Sequence, residues 1–530
     1  MLTRRHILQM LALAGAVAPA GAFPAFAQEE KDIPAPQPAF GEPEPFGPDT
    51  VIAMARDLAS REYVPVPLVP EAWREMNYDQ YKNLLFDPRS AVWHGTGLPY
   101  EFDLFAPGLY FTQGVDVHVV EGDAAREVLF EPRLFLMTDQ VPDAVRNDTS
   151  ETLGFSGFRL RTEINRPDRR EEFAVFQGAS YFRAIGRDQI YGLSARGLAL
   201  RTGEAAGEEF PLFRAFWLER PDRGDRTVTI HALLDSPSVA GAYTVRIEPG
   251  TATIMDVDAH VFPRVDLDHV GIAPGTSMFL FDETNHDRFD DFRPAVHDSD
   301  GLLVHNGAGE MLWRKLGNPK TLQVSSFVDE NPRGFGLMQR ARDPNDFADI
   351  EAFYERRPSL WVEPLDDWGQ GAVTLVEIPA DKEIFDNIVS YWRPREPLTP
   401  RDAGHRFRYR LTWGGDPMIA GARARVLDTH IGGQPFDGRE GGRHVAIDFG
   451  KHHLLPARME DLTIHLSADV LDGDGLKGPV VKRNPNTGGV RVDFAFYPED
   501  RSSVELRSQL IANGRPVSEV WLYRWTNTDT

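Results

Sequence analysis

Short runs in which apolar and polar residues alternate, each closed by Gly, Pro, Asn or Asp, constrain this chain more than any other feature. Val115, Val117 and Val119 are separated by Asp116 and His118. A two-residue period sends the valines to one face of a strand and the polar residues to the other, which predicts a surface position for His118. Phe158-Arg159-Leu160-Arg161 and Thr227-Val228-Thr229-Ile230 repeat the pattern. Turn residues return about every ten positions, the rhythm of sandwiches and barrels, and 46 glycines and 40 prolines supply them. Helical spacing is confined to short stretches. Val51, Met54, Ala55 and Leu58 predict a helix behind Asp49 or Thr50, and residues 77–85 predict another. No fixed-period repeat marks a propeller or solenoid. The expected fold class is all-β.

A chain of 530 residues exceeds what one core usually organises, so two domains are expected. Residues 393–400 (RPREPLTP) can form few ladder bonds and read as a hinge. Beyond them, alternating runs at 407–411, 444–449, 462–466, 490–496, 504–510 and 520–525 suit a small sandwich. The predicted division is a large domain over 28–395 and a small one over 396–530. Residues 1–27 stand apart. Arg4-Arg5 precede an apolar run from Met10 to Ala18, and Ala25-Phe26-Ala27 offers small residues for cleavage, the pattern of a twin-arginine export signal.

Removing that signal leaves a net charge of (57 − 2) − 80 = −25. Such an acidic body repels nucleic acid and anionic lipid, and no later apolar run reaches the ~20 residues that span a bilayer. With no cysteine in the chain, disulfides, thiolate chemistry and Cys-ligated metal are excluded. A neutral sugar polymer fits this balance.

Two stretches concentrate the chemistry. Phe289 to His305 (FDDFRPAVHDSDGLLVH) carries Asp290, Asp291, Asp298 and Asp300 with His297, His305 and Arg293; Glu377 to Trp392 adds Glu383 and Asp386 beside a strand-like run. Carboxyls on two loops of a β scaffold are the minimum for cleaving a glycosidic bond, one giving a proton to the leaving oxygen and one taking a proton from water. Gln177, Ser180, Tyr181, Arg183, Tyr191 and Arg196 intersperse aromatic and guanidinium groups, which suits either sugar recognition or an aromatic core rimmed by Arg–Glu pairs. His297, Asp298, Asp300 and His305 lack the usual helical spacing of metal ligands, and Asp472-Gly473-Asp474-Gly475 reads as a tight turn. No metal and no cofactor are expected.

The segments FQGASYFRAIG (176–186), YGLSARGLAL (191–200), GEEFPLFRAFWLERP (207–221), GIAPGTSMFLF (271–281), FRPAVHDSDGL (292–302), NPRGFGLMQR (331–340) and RRPSLWVEPLDDWGQGAVTLVEIP (356–379) resemble the OpgG/OpgD (MdoG/MdoD) family of periplasmic glucan biosynthesis proteins. The twin-arginine leader is more similar to the D-type members. The resemblance implies a large galactose-mutarotase-like β-sandwich followed by a small immunoglobulin-like one, at work in the periplasm. It implies a β-1,2-glucan substrate, with a membrane glucan synthase as a possible partner. It also implies inverting endo-β-1,2-glucanase activity or glycosyl transfer, a chain of hydroxyl and water carrying the proton. By motif, Asp386 takes the general-acid position and Asp298 the general-base position; Glu383, Tyr354, Arg357 and His297 stand among the residues that hold substrate. Apolar neighbours (Phe385, Ile388, Val389) or the like charge of Glu383 would keep Asp386 protonated, and His297 or Arg293 would favour ionised Asp298. Inversion further asks that the two carboxyls stand about 6.5–9.5 Å apart, or wider with a water relay. One departure stands out: relatives commonly read E-T-N-D-N where this chain has Glu383-Ile384-Phe385-Asp386-Asn387. That exchange leaves hydrolysis, transfer, and glucan binding or assembly without cutting all open.

Overall fold

The computed structural model describes residues 35–150, 153–434, 440–469 and 475–527. The predicted export signal and Asp472–Asp474 lie outside them. Two large sheets form the body. One runs through sixteen strands, the other through ten. Val117 and Val119 of Asp116–Glu121, with Phe216, Ile230, Val245 and Val257 from the first sheet, pack against Phe158, Phe176, Phe182, Ile272, Leu375 and Trp392 from the second. The protein is an all-β sandwich, as the two-residue period predicts. Thr253–Pro263 shows why: Met255, Val257, Ala259 and Val261 are buried while Ile254, Asp256, Asp258 and His260 are only partly so.

Helices are few. Thr50–Ala59 forms where the spacing places it, burying Val51 and Ala55. The second predicted helix stops after Tyr78–Tyr81, capped by Asn77 and Gln80 in a reciprocal pair, because Leu84–Phe86 turns into a strand against Phe135–Met137. Among the described residues no helix is long and apolar enough to cross a membrane. His118 is half-buried rather than at the surface, its ring stacked on Trp217 with centroids 5.0 Å apart.

The strand at 407–411, expected in the small sandwich, lies in the large sheet. His405–Gly414 pairs antiparallel with Thr253–Pro263 on one side and Ser359–Pro364 on the other. Its outward arginines explain the choice, since Arg410 Nε donates to Asp256 at 2.7 Å and Arg406 Nε to Asp258 at 2.8 Å. Nor do residues 393–400 hang free: Arg395 N donates to Gln370 O, and Leu398 pairs with Leu267. On these pairings we propose a division after Gly414 instead of at 395.

The remaining strands build a second, smaller sandwich. Val426–Gly433, Arg443–Phe449, Val490–Phe496 and Leu476–Arg483 make a four-stranded sheet, facing Val520–Thr526, Ser503–Ala512 and Leu462–Ala468. The latter three extend the sixteen-stranded sheet, because Val520–Thr526 pairs in parallel with Met311–Lys315. Trp313 and Trp361 of the body share a core with Val445, Phe494 and Trp521. Arg340 rivets the seam: its guanidinium donates two 2.8 Å bonds to Glu519, one of 3.1 Å to Asp416 and one of 2.7 Å to Val426 O, lying 3.8 Å over the Trp313 ring. Truncating one member of a buried ion pair strands the other. Arg340→Ala is therefore expected to cost about 3–5 kcal/mol, read as a lower denaturation midpoint; an unchanged midpoint would show the seam to be idle.

Candidate active site

Both candidate carboxyls are hung from one short segment, 278–281. Asp298 follows Val296–His297, which pairs with Phe279–Phe281, and its backbone N–H donates to Met278 O at 2.8 Å. Asp386 sits one residue before Asn387, whose side chain is buried. Asn387 Oδ1 accepts from Phe279 N at 2.8 Å, while its Nδ2 donates to Phe279 O at 2.9 Å and Ile378 O at 3.0 Å. An amide that spends donor and acceptor on the same residue fixes both the position and the direction of its loop.

Arginines surround the pair. Arg357 Nη1 forms an ion pair with the buried Asp298 carboxylate, and its guanidinium lies 4.3 Å over the Tyr354 ring. Room for that stem comes from Gly192, where a Cβ would stand 2.9 Å from Arg357 Cβ. Arg183 Nε donates to Ser194 Oγ at 2.7 Å and holds its Nη2 4.0 Å from Asp386 Oδ2. Asp386 is 13% exposed at the side chain, and Oδ2 has no hydrogen-bond partner among the described residues. Burial pushes its pKa up to about 7, with Asp298 adding to the rise and Arg183 and Arg357 opposing it. Desolvation outweighs the two cations, so Asp386 holds its proton through the acidic range and up to about pH 7.

The like charge that reinforces Asp386 is thus Asp298. Glu383, proposed for that part from sequence, is engaged elsewhere: Tyr354 Oη donates to it at 3.1 Å and Arg293 Nη1 stands 2.9 Å away. Ile384 is 43% exposed and Phe385 half-buried, so the exchanged pair lies at the rim of the site. Tyr354 is buried, which raises its phenol pKa, and Arg357 follows it directly after the turn Tyr354–Arg356. The structure therefore gathers Asp386, Asp298, Arg357, Tyr354 and Glu383.

His297 is placed differently. Its ring is 2% exposed, stacked on Phe279 at 5.4 Å and bonded through Nδ1 to Gln339 Oε1 at 2.9 Å. Burial, with Lys315 nearby, lowers its pKa. Gln339 Nε2 also donates to the His297 and Tyr354 carbonyls, so one amide ties the buried ring to the turn that carries Tyr354. Sequence reasoning missed Asn387 and the part of Arg183, although Arg183 stood in the aromatic–arginine stretch that carried a signal.

Of the set considered for metal, Asp298 is taken by Arg357 and Asp300 Oδ2 by the backbone N–H groups of Arg340 and Ala341 at 2.8 and 2.9 Å. Among the described residues, Glu283 of the body and Asp428 and His430 of the small sandwich bring ligand atoms within 4.8 Å of one another, and none of the three belongs to the set considered from sequence.

The site thus sets on a β-sandwich a carboxyl whose pKa burial raises, an arginine-held carboxylate and a tyrosine–arginine stack. The family model described as "Periplasmic glucan biosynthesis protein, MdoG" matches residues 46–525, and the chain belongs to that family. Glucans biosynthesis protein G of Vibrio cholerae is 46% identical over 490 residues, covering 92% of this chain and 88% of that protein. The protein of the same name from Shewanella sp. MR-4 is 45% identical over 483 residues, 91% of this chain and 87% of its own. YeaD of Salmonella typhimurium, a candidate mutarotase, aligns over 49% of this chain and 90% of its own at 10% identity with a TM-score of 0.23, too slight a likeness to bear on the fold.

The folded chain holds the Asp386 proton more tightly than the unfolded chain does. Ionising it therefore costs stability, increasingly as pH climbs from the ordinary value of 3.8 to about 7. Asp386→Asn is expected to melt well above the parent at pH 8 and close to it at pH 4. A gap between the two midpoints that ignores pH would remove the protonated carboxyl from the site.

Proposed function

We propose that this protein cleaves the β-1,2-glucan backbone in the periplasm by an inverting mechanism, as part of glucan biosynthesis. The observation that carries the reading is Asp386, a carboxyl with its Oδ2 buried and unpartnered among the described residues, on a loop tied to the same segment as Asp298.

Asp386 gives its proton to the bridging oxygen as the bond from C1 to that oxygen breaks. Water adds to C1 from the opposite face, and its proton passes to Asp298. Asp298 is 4% exposed, too deep to meet the attacking water directly, so a hydroxyl or second water relays that proton. Arg357 balances the base's charge, and Tyr354 and Glu383 hold sugar hydroxyls beside it. Each turnover yields two shorter chains, the new reducing end having the α configuration. A sugar hydroxyl in place of water would make the same step a transfer.

Ile384 at the rim supports a second reading, in which the protein binds and guides glucan without cutting it. Reducing-end formation from linear β-1,2-glucan separates the two. Under the first reading activity declines above about pH 7 as Asp386 ionises, and Asp386→Asn loses about 10²–10⁴-fold. Equal and negligible activity in parent and variant, with glucan still bound, would select the second.

A further inference from the structure

Outside the carboxyl pair, one cavity of about 430 Å³ opens between residues 290–293 and 348–351, within the roughly 300–1,000 Å³ of small-ligand sites. Two large apolar side chains stand at it almost wholly in solvent, Phe292 and Ile350, each 85% exposed. A folded chain gains by burying such groups, and apolar surface ringed by polar groups marks contact with a ligand. The ring here consists of Asp290, Asp291, Asp349 and Glu351.

Arg293 joins this cavity to the catalytic loop. It lines the cavity, bonds Asp291 and Asp349, and reaches Glu383 at 2.9 Å, three residues before Asp386. With Arg293 occupying Asp291 and Asp349, the Asp290 and Glu351 carboxylates are the acceptors left at the rim; no hydrogen bond or ion pair among the described residues uses them. The chemistry selects the occupant. An anion is repelled, a cation gives no use to Phe292 and Ile350, and a protein partner needs a broader apolar face. A pyranose offers an apolar face for the Phe292 ring and hydroxyls for the carboxylates.

We infer that Phe292, Ile350 and the cavity behind them form a distal glucosyl subsite, which grips the substrate chain beyond Glu383. This inference rests on the β-1,2-glucan reading above. Binding of short and long linear β-1,2-gluco-oligosaccharides, measured calorimetrically in the Asp386→Asn protein to prevent turnover, tests it. Adding Phe292→Ala and Ile350→Ser is expected to weaken long chains about tenfold and short ones by less than about twofold. Both side chains being solvent-exposed, the melting temperature is expected to stay put. Long chains bound as tightly as before, or both lengths weakened alike, would overturn the subsite. Absence of any β-1,2-glucan binding by the Asp386→Asn protein itself would instead overturn the substrate reading, and the subsite with it.

Discussion

The side-chain amide of Asn387 makes three hydrogen bonds, two of them to the backbone of Phe279, 108 residues away in the chain. Those bonds convert a loop with few apolar contacts into a fixed mount. Met278 O, one residue earlier, receives the Asp298 N–H. The spacing of the two carboxyls is therefore set by a segment of backbone and not by the flexible ends of side chains. Chemistry that passes a proton from one group and returns it to another demands such a mount, because small displacements of a reacting group cost large factors in rate.

On that mount the electrostatics follow from a contest of unequal terms. Arg183 approaches Asp386 no nearer than 4.0 Å, while Arg357 spends its closest contact on Asp298. Neither cation recovers what Asp386 loses by leaving water, so the carboxyl keeps its proton. The same arginine chemistry thus gives two outcomes: direct pairing for one acid, and only a distant field for the other.

Strands were legible because their signal is local. The run at 490–496 coincides with its observed strand, since every second side chain meets the core. Partnership was not legible. His405–Gly414 has the same alternation as the strands that follow it, and only the match of Arg406 and Arg410 to Asp258 and Asp256 assigns it to the large sheet. The site divides along the same line. Asp386, Asp298, Tyr354, Arg357 and Glu383 are named by motifs that short windows contain. The contact with Arg183 and the ties of the two acid-bearing loops to the backbone of Met278 and Phe279 are not legible in such windows, because sheet pairing brings those residues there from far along the chain. Nor was the burial of His297 legible, because the Gln339 side chain that bonds its ring lies 42 residues away in the chain.

The small sandwich is connected to this chemistry through Asp300. Two residues past Asp298, its carboxylate accepts from the backbone N–H groups of Arg340 and Ala341. The Arg340 side chain is the rivet that enters the seam and binds Glu519 and Val426 O. One residue thus presents its backbone to the loop of the base and its side chain to the second sandwich. The loop of the base is thus held by Met278 O at one point and by the Arg340 and Ala341 backbone at another, while the acid loop is held by Asn387 at one end and by Asn318, bonded to both backbone groups of Ala380, at the other. The appended sandwich is therefore tied to the site through the loop that carries Asp298.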